Sequence, residues 1–371
     1  MGRPVLSRAA FVEVAKSATA GGTRSATHAA ETQAAAGKGV NKSVDPRSNC
    51  GLRISSSYKD PVKGGFQLRR GLAMPVEFRL DTTSSMQDNV DVAMRVLLRV
   101  YELLSTGKVP VLSRYDTQVC TSIFNDQADP HPLLRSEFEL DERIAEQMSF
   151  MVPDRGGGDI PEDPQYGLFA AAFLTKTDIV RYGLLGYDFT ITDAPGRMNV
   201  RQDMLVEIFG EDVFAKAEEN GHQIARGNIP DCQEVAQALG KRAHAFVLQV
   251  DNRPDTNAFW SSVLGAERVV KISSSELLPQ VVAAIVGLTE GVLSLSNLTE
   301  FLTKEAQLTA RNAEDIKRAV AKIPIGAQTK FANFSKIPLA GTIFANKDDL
   351  WPVSDAVKPD KPGKPTKPTW L

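Results

Sequence analysis

The sequence predicts an α/β fold, an open, doubly wound, mostly parallel sheet with helices on both faces. Three observations carry that expectation. Short apolar or alternating runs take turns with stretches of helical periodicity from about residue 76 to residue 286. The strand-like runs end in small, polar or acidic residues, as strand-to-helix connections do. The chain has 371 residues, 42% of them hydrophobic, which is enough to bury a sizeable core.

Taken in order, Val76-Glu-Phe-Arg-Leu-Asp81 alternates apolar and polar and runs into Thr82-Thr-Ser-Ser85. Val92, Val96, Val100 and Leu103, with Leu97 and Leu104, then repeat at helical spacing. Val119-Cys-Thr-Ser-Ile-Phe124 reads as a second strand ending in Asn125-Asp126, and a helix is expected near residues 142–150. Residues 161–175 open with proline and acids and continue as Leu168-Phe-Ala-Ala-Ala-Phe-Leu174, which predicts a buried helix. Tyr187-Asp-Phe-Thr-Ile-Thr192 is a third strand, followed by amphipathic helices around 204–220 and 232–239. Strands at 245–250 and 268–272 and a closing helix from Ser275, with Pro279 in its first turn, complete the alternation.

Charge marks the boundaries. Residues 1–64 hold ten Lys and Arg against four Asp and Glu, and the Lys-Pro tract 358–368 has net charge +3. With the whole chain at −2, the body between them is left near −11. The sequence thus divides into a basic N-terminal arm expected to be disordered (1–66), an α/β domain (67–290), a helical extension (291–325) and an irregular extension with a Lys-Pro-rich tail (326–371).

Several function classes are excluded or weakened. Balanced charge gives no whole-chain case for nucleic acid, although the basic tails leave it open. The longest apolar stretch, residues 281–288, is far shorter than a membrane span. The N-terminus lacks the apolar core of a secretory signal. Cys50, Cys120 and Cys232 are odd in number and have no C-x-x-C, so a cytoplasmic protein with free thiols is expected rather than a disulfide framework or a zinc site. The four histidines have no ligand spacing, and Ser84 and Ser85 lack a G-x-S-x-G context, which argues against a hydrolase nucleophile. Trp260 reads as a core anchor.

In an open α/β sheet, ligands bind outside the carboxyl ends of the strands. Three stretches should meet there. The first strand delivers Asp81, Thr83 and Ser85 in the pattern D-x-T-x-S. A loop delivers Gly156-Gly-Gly-Asp159, with Glu162 and Asp163 following, and a later strand ends in Thr192-Asp193-Ala-Pro195. Crowded carboxylates repel unless a cation sits between them, and an all-oxygen set with hydroxyls suits a hard ion such as Mg²⁺ or Mn²⁺.

These three stretches resemble, in order and approximate separation, the loops of a von Willebrand factor A domain with a metal-ion-dependent adhesion site (MIDAS), over residues 72–290. The usual first-loop pattern is D-x-S-x-S, and Thr83 in place of the first serine keeps a hydroxyl ligand. The usual second-loop ligand is a threonine, whereas this chain has Asp159 in a G-G-G-D-x-P-E setting. The resemblance implies metal ligation by Asp81, Thr83, Ser85, Asp159 and Asp193, with a partner's acidic residue completing the ion's shell. It further implies an adhesive or, for intracellular members, an assembly role, with an AAA+ ATPase as one such partner.

Two other functions compete with that of an intracellular adaptor. Asp81, Asp159, Glu162 and Asp193 are also compatible with a metal-dependent phosphoesterase or nuclease, although no Lys, Arg or His is placed to stabilise a leaving group. A scaffold that keeps the fold without metal is the third reading.

Overall fold

The computed structural model describes residues 27–59, 65–68, 71–140, 143–156, 160–330, 332 and 343–344. In chain order the elements begin with helix α1 (His28–Ala35) and the short strands β1 (Leu52–Ile54), β2 (Ser57–Lys59) and β3 (Phe66–Leu68). Next come β4 (Ala73–Asp81), α2 (Gln87–Tyr101), β5 (Asp116–Phe124), β6 (Leu133–Arg135), α3 (Arg143–Ser149), α4 (Gln165–Phe173), β7 (Thr175–Thr177) and β8 (Gly186–Thr192). The second half holds α5 (Gln202–Phe209), α6 (Val213–Glu219), α7 (Cys232–Leu239), β9 (Ala243–Gln249), α8 (Pro254–Leu264), β10 (Val269–Lys271), α9 (Leu278–Glu290), α10 (Leu298–Lys304), α11 (Ala310–Ala319) and β11 (Ile343–Phe344).

Six strands form the main sheet in the order β10-β9-β8-β4-β5-β6. All neighbours run parallel except β5 and β6. β4, the first of these strands in the chain, has β5 on one side and β8 on the other, so the direction of winding reverses there and opens a crevice at its carboxyl end. The expected doubly wound α/β architecture is present.

Both faces of the sheet are covered. Val76, Phe78 and Leu80 of β4 point into one apolar cluster with α2 and α9, which α10 and α11 extend through Leu302 and Ile316. The opposite cluster is built from α4, α5, α7 and α8 around Phe169, Leu205, Val235 and Trp260. The period-2 alternation of β4 reads as one dry and one wet face, yet every residue of the strand is buried. Its polar face carries an ion-pair network. The Arg79 guanidinium donates to both carboxylate oxygens of Asp188 at 3.0 Å and to the Gly167 carbonyl at 3.1 Å. Arg135 on β6 grips Glu77 with two bonds of 2.9 and 2.7 Å. Burial raises the cost of each charge, and the facing opposite charges offset it. Helix α4 comes close enough that a Cβ on Gly167 would stand 2.3 Å from Arg79 Nε, so glycine is required at that position.

Two expectations need correction. Residues 27–59 are not an unstructured arm. They carry α1, β1 and β2 and bury Val44, Cys50, Leu52 and Ile54, and β1 pairs in parallel with β7. Leu and Ile at alternate positions of Leu52-Arg-Ile54 suffice for a small edge strand, and composition averaged over the whole basic segment hides it. Residues 161–164 do not start the α4 helix. They form a bend and turn that lead into it, with Pro164 at its N-cap, and Glu162 bridges in parallel to Gly196. Residues 1–26 and the Lys-Pro tract lie outside the described residues. Helices α10 and α11 fall in the expected helical extension. Among the described residues no helix is long and apolar enough to cross a membrane.

Candidate functional site

The carboxyl ends of β4 and β8, adjacent in the sheet, place Asp81 and Thr192 side by side, and the Thr192 hydroxyl donates to Asp81 Oδ2 at 2.6 Å. After Asp81 the chain turns sharply. The Thr83 amide and hydroxyl both donate to Asp81 Oδ1, at 3.1 and 2.7 Å, an Asx-type turn that returns the hydroxyl over the strand end. Two residues further, the Ser85 hydroxyl donates to Asp193 Oδ1 at 2.8 Å, joining loops 108 residues apart. The structure therefore brings Asp81, Thr83, Ser85 and Asp193 together. Asp159 lies outside the described residues.

The remaining loop closes the cup from the third side. The Ser84 amide donates to the Gly156 carbonyl and the Arg155 amide to the Thr82 carbonyl, at 2.6 and 3.0 Å. Arg155 has φ 57°, a left-handed conformation uncommon outside glycine, and its guanidinium pairs with Asp91 at 2.7 Å and with Glu31 at 3.2 Å. The Glu162 amide donates to the Pro195 carbonyl at 2.9 Å, and Glu162's own carbonyl accepts from the Arg197 amide at 3.0 Å. That pairing turns the Glu162 carboxylate toward Asp81 and Thr83. Behind it, Arg197 bridges Asp163 at 2.7 Å and Asp126 at 3.4 Å, fixing the loop from outside the cup.

The third loop is suspended from helix α8. Trp260 Nε1 donates to the Ala194 carbonyl at 3.1 Å and the Thr256 hydroxyl to the Asp193 carbonyl at 2.9 Å. Trp260 is fully buried, as a core anchor should be, and it also holds a site loop.

The electrostatics of the cup are those of too many acceptors. Burial pushes the Asp81 carboxyl up to about 6 against the pull of its Thr192 and Thr83 hydrogen bonds. Burial, followed by the charge of Asp81, pushes Glu162 up to about 8. Asp193 is raised as well, by burial first and then by Asp251, while the Ser85 hydrogen bond opposes. Glu162 is only 4% exposed, and among the described residues its Oε2 has no hydrogen-bond partner. The Thr83 hydroxyl has a single proton, so it cannot donate to Asp81 and Glu162 at once. An orphaned buried carboxylate oxygen beside a second carboxylate is the setting a cation or a proton would relieve. Among the described residues no group of three or more His, Cys, Asp and Glu side chains is arranged to hold an ion alone. A cation here would therefore also need the hydroxyls of Thr83 and Ser85, and such a mixed oxygen set fits a hard divalent ion better than a soft one.

Two members of the cup carried weak signals in the sequence. Glu162 stands in the second stretch, where the sequence points to it as a metal holder only in the enzymatic reading. Thr192 looked like an ordinary strand residue. Neither histidines nor thiols take part: His244 is buried beside Gln328, and Cys50, Cys120 and Cys232 are free and buried.

The chain is thus a doubly wound α/β domain with an acidic, hydroxyl-lined cup at its topological switch point. In three-dimensional comparison it is similar to proximal thread matrix protein 1 of the mussel byssus, with TM-score 0.37 and 15% identity over 60% of this chain and 46% of that one. That protein is also known with a zinc-occupied MIDAS motif. It is similar as well to the pilus adhesin SpaC of Lactobacillus rhamnosus GG, with TM-score 0.38 and 12% identity over 63% of this chain and 33% of that one. A further likeness is to the vWF domain of the type V pili tip protein Mfa5 of Porphyromonas gingivalis, with TM-score 0.37 and 12% identity over 58% of this chain and 94% of that one. This chain spans less than half the length of the byssus and SpaC proteins. No family model and no curated protein sequence matches it.

Proposed function

We propose that this chain is a protein-binding module that holds Mg²⁺ or Mn²⁺ in the cup and recognises an acidic group of a partner through that ion. Asp81, Thr83, Ser85 and Asp193 would hold the ion, joined by Glu162 from the second loop and by Asp159 as the sequence resemblance implies. The bound ion would supply a Lewis-acidic position for a carboxylate oxygen. The single observation that supports this reading most is the buried Glu162 Oε2, which has no donor among the described residues, next to Asp81. A cytoplasmic adaptor, with an AAA+ ATPase as a candidate partner, is part of the same proposal and is in keeping with three free thiols.

Isothermal titration with Mg²⁺ and Mn²⁺ tests the proposal. Wild type should give a saturable heat that Asp81→Asn and Asp193→Asn abolish. At an ion concentration 100 times the dissociation constant, the wild type should gain about 2.7 kcal/mol of stability. No heat, or equal stabilisation of wild type and both variants, would leave a scaffold that works without metal. Metal-dependent cleavage of a phosphodiester that is lost in Asp193→Asn would instead promote the enzymatic reading.

A further inference from the structure

We propose that the pole of the domain opposite the cup holds a second site, a pocket for a small monocarboxylate. Its carboxylate would sit on Arg242 and Thr177, and its short apolar body against Phe138, Ala171 and Leu239. The proposal does not depend on a metal in the cup.

The pocket opens where the central strands of the sheet begin. Pro75 of β4, Gly186 of β8 and Ala243 of β9 line one side, and Ala171 of α4 and Leu239 of α7 close it from the helical layer. About 340 Å³ of space lies between the lining atoms, solvent at the mouth included, near the lower end of what small-molecule pockets hold. Phe138, which follows β6, adds an aromatic wall.

Charge singles out Arg242. Glu77 and Asp188 also line the pocket, but both are already paired: Arg135 holds Glu77 with two bonds, and Arg79 holds both oxygens of Asp188. Half-buried Arg242 forms no ion pair with any carboxylate among the described residues. Its guanidinium donates to the Thr175 carbonyl, to the Asn220 carbonyl at 3.4 Å and to His222 Nε2 at 2.7 Å. Arginine has donors only, so the His222 nitrogen accepts and its ring is neutral. Burial lowers the Arg242 pKa, and no acidic neighbour opposes that shift. Three guanidiniums thus face two carboxylates around the pocket, and one positive charge is left over. Thr177, two residues along β7 from Thr175, lines the same space, and its buried hydroxyl has no partner among the described residues.

An unbalanced cation and an orphaned hydroxyl donor in one pocket define the ligand. A carboxylate carries the single charge that balances the cluster and can accept from both groups in charge-assisted bonds. A phosphate dianion overshoots the balance, and a neutral amide supplies an acceptor without the charge. The carbon walls favour an acid with an aliphatic body over a bare ion.

Calorimetric titration of the full chain in EDTA, which keeps cations out of the cup, tests the proposal with butyrate, acetate, butyramide and inorganic phosphate. Wild type should bind butyrate about tenfold tighter than acetate, because butyrate buries two further methylenes, and should give no saturable heat with butyramide or phosphate. Thr177→Val should weaken butyrate binding about fivefold and Arg242→Gln should abolish it. Lys241→Gln, a change at an exposed neighbour, should leave it unaltered. Absence of butyrate heat in wild type overturns the proposal, as does butyramide or phosphate binding as tightly as butyrate. Binding that survives Arg242→Gln, or that Lys241→Gln weakens equally, overturns it too. Should Arg242→Gln fail to fold, full butyrate affinity in Thr177→Val overturns it.

Discussion

Replacing Asp81 by Asn offers a quantitative check on the electrostatics of the cup, because the side chain is fully buried and its partners are known. In the metal-free protein its carboxyl is pushed up from 3.8 to about 6. A group whose folded value lies above its unfolded value contributes stability below the unfolded value and loses it as pH rises through the folded one. The wild type therefore loses stability between about pH 4 and pH 6 and carries the full cost above that. At about 1.36 kcal/mol per pH unit the cost is about 3 kcal/mol. Asparagine removes it but turns an amide toward the Thr192 hydroxyl, which already accepts from the Ala194 amide, and one lost hydrogen bond costs about 1 kcal/mol. Urea unfolding with EDTA should accordingly find Asp81→Asn about 2 kcal/mol more stable than wild type at pH 8 and nearly equal to it at pH 4.5. A variant less stable than wild type at pH 8, or a gap that does not change with pH, would refute the assignment of burial as the dominant effect on Asp81.

Three other perturbations probe the frame around the cup. Glu290 ends helix α9 buried beneath the sheet, accepts from Tyr187 at 2.7 Å and Tyr115 at 3.1 Å, and is pushed up to about 6 by burial. Glu290→Gln should flatten the stability profile between about pH 4.5 and 6 and gain up to about 2 kcal/mol at pH 8, read by thermal melts. Arg79→Met leaves Asp188 uncompensated, Glu77 keeping Arg135, and should cost about 3–5 kcal/mol in urea unfolding, whereas combining it with Asp188→Leu should restore much of the loss. Trp260→Phe removes the donor to the Ala194 carbonyl and should cost about 1–3 kcal/mol, with a weaker ion response as the third loop loosens, measured by calorimetry.

Much of this was legible in the sequence, for definite physical reasons. Strands favour β-branched and aromatic residues, so β5, β8 and β9 stood out as short runs rich in Val, Ile, Thr, Phe and Tyr, and the stripe through Val96 and Val100 marked α2. The first-loop carboxylate and hydroxyls were legible because their spacing is fixed by one local turn, the Asx-type closure at Asp81. Glu162 depends on a pairing with Gly196, and no local pattern signals a bridge across 34 residues. Glu77 and Arg79 imitate a wet face because alternation records polarity, and only the tertiary neighbours Arg135 and Asp188 reveal that the polarity is buried. The antiparallel strand β6 is too short to signal itself, three residues between prolines and a charged stretch.

The pairing of β1 with β7 bears on how the protein can be cut. A boundary drawn where the basic composition ends, just before the first long strand, would strip Leu52–Ile54 from the flank of Thr175–Thr177, remove Cys50 with them and uncover the apolar cluster they cover. The trimmed product would carry a raw, unpaired edge, the usual seed of self-association. Recombinant versions should therefore keep residues 27–59.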